Sequence, residues 1–212
     1  MTERCLSADK IRKLDRDLRI LIATNGTLTR ILSVVANDEI VVQIIKQQIH
    51  HLGPKTTELE HLASGRVLER RILLKGRSSG KPFVVAESWI AIDRLPPAIV
   101  TSLTTTDRPI GEVMEASCLE TFKEAAEVWI GELPDWLPLE GYRDSRQRTV
   151  GRRYRIISGG QPVLIITEYF LRNVFQHTAR EKPDRCHHSN GIDTRSGDSF
   201  APINRISRSP QR

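Results

Sequence analysis

Two ionisable side chains stand where apolar ones belong. The run VLIITEYFL (residues 163–171) has the composition of a buried strand, yet it carries Glu168. Strand side chains alternate between two faces. Leu164, Ile166, Glu168 and Phe170 therefore share one face, and Val163, Ile165, Thr167 and Tyr169 the other. The carboxylate falls in the more apolar set, and a buried carboxylate without a partner takes up a proton more readily than it stays charged. RVLERRILLK (66–75) repeats the anomaly with the opposite sign: Leu68, Arg70, Ile72 and Leu74 share a face, with Glu69, Arg71 and Lys75 behind them. A guanidinium among aliphatics needs an anion or a carbonyl. Two chemistries meet that need. One is an internal salt bridge, with Glu168 as partner; the other is a recess in which Arg70 grips a ligand carboxylate through its fork of N–H donors.

A third feature is GYRDSRQRTVGRRYR (141–155), with six arginines. Such a run is either a solvated basic loop or a nucleic-acid patch. No recognition motif accompanies it, and 5% aromatic residues is thin for stacking on single-stranded bases. Its second half alternates as a strand, so some arginines must share the sheet face of Glu168. A three-residue turn at Gly159-Gly160 puts Arg152, Tyr154 and Ile156 there, and an even turn puts Arg153 and Arg155 there. Hydrophobicity favours the odd turn. Metal chemistry has little support: Cys186-His187-His188 lacks a second ligand pair at zinc spacing, and His50-His51 reads as the end of a strand. No phosphate-binding glycine loop or nucleophile elbow is present.

The elements that must carry these residues follow from pattern. Ser7 caps a predicted helix over 8–23, with Ile11, Leu14, Leu18 and Leu21 on one face. EIVVQIIKQQI (39–49), 66–75 and 82–92 read as strands, the last two joined by GRSSGK. Pro96-Pro97 opens a loop or short helix. DRPIGEVMEA (107–116) reads as a helix start, and ETFKEAAEVWI (120–130) as a helix. Residues 151–158 and 162–171 form a second hairpin. Helices interspersed with antiparallel pairs define an α+β fold. Beyond about residue 178 the chain turns polar, so a single domain over 1–178 and a disordered tail over 179–212 are expected.

The formal charge of +6 and a pI near 9.5 ask for an anionic partner. Cys5, Cys118 and Cys186 are scattered and odd in number, which suits a reducing compartment. With no apolar leader at the N-terminus and no run long enough to span a bilayer, a cytoplasmic chain without membrane insertion is expected.

Taken together, LERRILLKGRSSGKPFVVAES (68–88), RPIGEV (108–113), NGTLTRIL (25–32) and above all GRRYRIISGGQPVLIITEYFL (151–171) resemble the chorismate pyruvate-lyase family, and the mycobacterial form in particular. The last segment is similar to the family's arginine-rich strand, SGxP turn and closing LLxTExFL strand. The resemblance implies a cofactor-independent, metal-free lyase, expected as a monomer, that converts chorismate into pyruvate and 4-hydroxybenzoate, the latter a precursor of phenolic glycolipids. It implies a six-stranded antiparallel sheet with helices packed on it and helical flaps over a buried ligand. It also places the substrate-binding arginine on Arg70, the buried glutamate on Glu168, and the flap contacts on Thr27 and Ile110. Arg152 or Arg153 would assist Arg70 with the two substrate carboxylates. Thr27 replaces a Met of enteric-type enzymes, so that contact would have to come from the backbone, and the 75–81 turn is about two residues longer. The rival reading is a non-catalytic sensing domain of the related regulator fold. Only about 35 residues precede the first predicted strand, which leaves no room for a winged-helix domain.

Overall fold

The computed structural model describes residues 5–51, 65–137, 148–171 and 175. The tail expected over 179–212, with Cys186-His187-His188, lies outside the described residues. Within them the elements run α1 (Ala8–Arg12), α2 (Arg16–Ala23), α3 (Leu28–Ala36), β1 (Ile40–His50), β2 (Val67–Gly76), β3 (Pro82–Ala91), α4 (Pro97–Thr105), α5 (Ile110–Ala116), β4 (Phe122–Lys123), β5 (Glu127–Gly131), β6 (Thr149–Ser158) and β7 (Gln161–Phe170).

The fold is α+β. Seven strands form one antiparallel sheet in the order β1-β2-β3-β7-β6-β4, and β5 also pairs with β6. Phe122 and Lys123 lie opposite Ile157 and Ile156, while Glu127–Gly131 lie opposite Arg153 to Thr149. Two short strands thus fill one lane, and seven strands occupy the six lanes that the resemblance implies.

Two expectations need correction. The helix over 8–23 is broken at Lys13–Asp15, where Asp15 takes extended backbone and opens α2. Aspartate favours that position over a helix interior, because its short acceptor competes for backbone N–H groups. The helix over 120–130 does not form at all; its residues are β4 and β5. Helix propensity is a weak prior. It loses here to pairing along the open edge of β6, which Val128, Trp129 and Ile130 suit. The outer edge of β5 is itself covered, since Leu6 N–H donates to Val128 O at 2.7 Å.

Among the described residues, α2, α3, α4 and α5 lie on one sheet face. Leu18, Leu21, Leu28 and Leu32 pack with Ile72, Leu74, Val84 and Phe170 in one cluster. Ile99, Leu103, Ile110, Val113 and Met114 pack with Leu68, Ile90, Leu164 and Ile166 in another. Both sets of strand residues belong to the face that carries Arg70 and Glu168. The opposite face holds the alternate residues, among them buried Glu69, ion-paired to Lys46 and Arg71 and in hydrogen-bond contact with His50 Nε2 at 2.8 Å. His50 is therefore a strand-end contact of Glu69.

Candidate active site

The β6–β7 hairpin decides what faces Glu168. Its turn has two residues, Gly159 and Gly160, both at positive φ (57° and 75°) where glycine has no steric penalty. That is the even turn, not the expected three-residue one. By itself it would set Arg153 beside Glu168. The register shifts once, however: Ile157 pairs Pro162, Ile156 pairs Leu164, and Val163 has no partner. This one-residue bulge restores the parity that the odd turn would have produced. Arg152 lies opposite Glu168 and Tyr154 opposite Ile166.

Arg152 and Glu168 form a buried ion pair, Nε to Oε2, with both side chains almost fully enclosed. Tyr154 Oη donates to the other carboxylate oxygen at 3.1 Å. Glu168 is thus an acceptor for a guanidinium and a phenol, not the lone acid that its strand pattern suggests. Burial, with the Glu168 carboxylate beside it, pushes the Tyr154 phenol well above its ordinary range. Arg152 also reaches into the helical layer: its Nη1 donates to Leu21 O at 2.6 Å, Ile22 O at 3.2 Å and Thr24 O at 3.3 Å. Leu21 and Ile22 are in the last turn of α2, whose carbonyls have no helical partner and carry the negative end of the helix dipole. One side chain therefore ties α2 to the sheet and to Glu168.

Above this group is a cavity of about 530 Å³, roofed by the first turns of α3 and α5 and floored by the sheet. That volume suits a small organic acid. Glu168, Thr27 and Ile110 line it. Thr27, Leu28 and Thr29 bring the start of α3 to the wall, with no side chain capping that helix. The buried hydroxyl of Thr29 has no partner among the described residues. Unsatisfied N–H groups of a helix start favour a carboxylate. Thr27 spends its hydroxyl on Glu115 Oε2 (3.4 Å), and Arg30 Nη1 donates to Glu115 Oε1 (2.8 Å), which joins α3 to α5 across the cavity mouth.

Arg70 stands differently from the expectation. It is fully buried, but Glu168 is not its partner: Nη1 donates to Arg108 O (2.9 Å) and Nη2 to Thr106 O (3.2 Å). Its register partner is Ser88, which lines the cavity, whereas the row through Glu168 reaches Ile72 on β2. Burial lowers the Arg70 pKa and nearby Asp107 partly offsets this, yet an arginine stays charged. Its Nε has no acceptor among the described residues. Neither Arg70 nor Arg152 is on the cavity wall itself; their cross-strand partners Ser88 and Glu168 are.

Arg153 is on the other face, where Nε donates to Thr167 Oγ1 at 3.1 Å and the guanidinium lies over Trp129. Its assignment to the substrate is corrected by the bulge at Val163. Arg155 pairs with Glu124. The strand half of the basic run is therefore engaged internally, which removes much of the case for nucleic acid.

Sequence reasoning missed Lys123. It lines the cavity, donates to Thr24 O at 3.1 Å, and sets Nζ 3.9 Å from the centre of the Tyr154 ring. Burial and the Arg152 guanidinium, partly offset by Glu168, lower its pKa to about 8. The signal was available: read as an edge strand, ETFK puts Lys123 on the Glu168 face.

The fold, an antiparallel sheet with helices on one face, is similar to that of the effector domain of PhnF from Mycobacterium smegmatis. That structure shares 12% identity, covers 68% of this chain and 88% of that one, and has a TM-score of 0.51, which is a likeness of fold alone. The sequence is more telling. Residues 22–177 match the Rv2949c-like chorismate pyruvate-lyase family, and the chain belongs to that family. It is 65% identical to the chorismate pyruvate-lyase of Mycobacterium leprae over 97% of this chain and 98% of that protein. It is 62% identical to that of Mycobacterium tuberculosis H37Rv over 91% and 98%.

Proposed function

We propose that the protein removes pyruvate from chorismate to give 4-hydroxybenzoate, and that it does so in the cavity above Glu168, as a cytoplasmic monomer whose lyase domain spans residues 1–178. Family membership and 65% identity to a chorismate pyruvate-lyase support the reaction. The observation that carries the site is the Arg152–Glu168–Tyr154 group beneath a cavity of about 530 Å³, a size that suits a small organic substrate.

Chorismate bears a ring carboxylate, an enolpyruvyl ether at C3 and a hydroxyl at C4. The C3–O bond breaks, the C4 proton leaves, and the ring becomes aromatic. The proton given up at C4 is the one that enolpyruvate needs to become pyruvate, so atoms balance without a co-reactant. Aromatisation drives the step, and the protein has to orient the substrate and guide one proton. The uncapped start of α3 and the unpartnered Arg70 Nε suit the ring carboxylate. Glu168, held by Arg152 and Tyr154, faces the C4 hydroxyl and either accepts its hydrogen bond or relays the proton.

Purified protein incubated with chorismate should release pyruvate and 4-hydroxybenzoate in equal amounts, followed by a coupled pyruvate assay and by absorbance. A folded sample that binds chorismate without forming either product would overturn the reading in favour of a sensor. Arg70→Ala should raise the chorismate KM by at least about tenfold; unchanged saturation would remove Arg70 from the site.

A further inference from the structure

We propose that Lys123 is the cavity's cation for the enolpyruvyl carboxylate of the substrate, the group that leaves with pyruvate. The inference rests on the proposed reaction but goes beyond the residues assigned to it above. Lys123 comes from the short edge strand β4, opposite Ile156. It is four strand positions from Arg70 along β2-β3-β7-β6-β4. At about 4.8 Å per strand the two backbones are about 19 Å apart. Lys123 lines the cavity at one end and Arg70 stands behind Ser88 at the other, with Ser88, Ile166 and Glu168 on the floor between. A dianion has one carboxylate for each end.

The local geometry leaves the ammonium available. It has three N–H donors; Thr24 O takes one, and the face of Tyr154 attracts the charge without using a donor to a lone pair. No carboxylate pairs with it in the described residues' ion pairs, whereas Glu115 is engaged by Arg30 and Glu168 by Arg152. Tyr154 spans the two functions, because its ring carries Lys123 and its hydroxyl carries Glu168. The leaving group at C3 and the hydroxyl at C4 are neighbours on the ring in the same way.

Substrate and product separate this role from a structural one. Chorismate has two carboxylates and 4-hydroxybenzoate has one. Lys123→Met should raise the chorismate KM about tenfold or more while the 4-hydroxybenzoate Kd stays within about twofold, and Lys123→Arg should retain most of the substrate affinity. Equal weakening of both ligands, or a chorismate KM that does not move, would overturn the proposal. A second readout needs no charge-removing variant. The titratable groups around Lys123 are Arg152 and Tyr154 from β6, Glu168 from β7, and Glu115 and Cys118 at the mouth. With Lys123 near 8, the wild-type chorismate KM should climb between about pH 7 and 9 and stay flat in Lys123→Arg; a climb shared by both proteins would assign the titration elsewhere and overturn it. Failure of the wild type to consume chorismate is a different result, and it would reject the reaction itself.

Discussion

At the scale of single residues, the site is a carboxylate whose acceptor capacity is already half spent. Glu168 receives N–H from Arg152 and O–H from Tyr154. Removing one member of a buried ion pair leaves the other uncompensated, typically at a cost of about 3–5 kcal/mol. Glu168→Gln should therefore lower the denaturation midpoint as well as turnover. The double variant Arg152→Met, Glu168→Leu should unfold at higher denaturant than the Glu168→Gln single variant and remain inactive. Equal midpoints in wild type and Glu168→Gln would show that the pair contributes little. Tyr154→Phe is the milder probe. It deletes one hydrogen bond to the carboxylate, keeps the ring under Lys123, and should cut kcat about tenfold with the melting temperature changed by only a few degrees. Full turnover in Glu168→Gln would reduce that residue to holding the ring.

At the scale of elements, the β6–β7 hairpin turns on Val163. Deleting that one residue removes the bulge and makes the hairpin regular from its two-residue turn, with Ile156 still opposite Leu164 and Arg152 still opposite Glu168. The variant should therefore keep chorismate turnover and 4-hydroxybenzoate binding. Loss of both from a folded sample would refute the parity argument. This hairpin also shows what a sequence discloses. That Arg152, Tyr154 and Glu168 share a face was legible, because hydrophobic alternation reports the face directly. The means was not: an odd turn and an even turn plus a bulge place the same side chains alike. β4 and β5 were illegible for another reason. ETFKEAAEVWI has good helix formers, and only the unpaired edge of a strand some twenty residues later makes it extended. Lys123 was lost with them. Arg70 was correctly singled out as anomalous, yet its partners, two loop carbonyls, have no signature in the side-chain pattern.

At the scale of the whole molecule, every helix that packs in the two main apolar clusters lies on one sheet face, and the cavity is the gap between those clusters. The two groups of helices meet across the mouth through Arg30, Glu115 and Thr27, all exposed enough for salt to screen the pair. Glu115→Gln should speed release of 4-hydroxybenzoate a few-fold in stopped-flow displacement, and the difference from wild type should shrink as ionic strength rises. A difference that persists at high salt would assign the effect to shape instead of charge.

The fastening of α2 by Arg152 has a consequence for how such a chain can change over generations. The guanidinium that pairs with Glu168 also satisfies the carbonyl end of α2, and the residues that follow this helix, 25–29, line the cavity. A lineage that discarded this arginine would not drift gently from catalyst to passive receptor. It would lose the tie between α2 and the sheet along with the partner of Glu168, so selection for a folded shell alone acts to keep Arg152 in place.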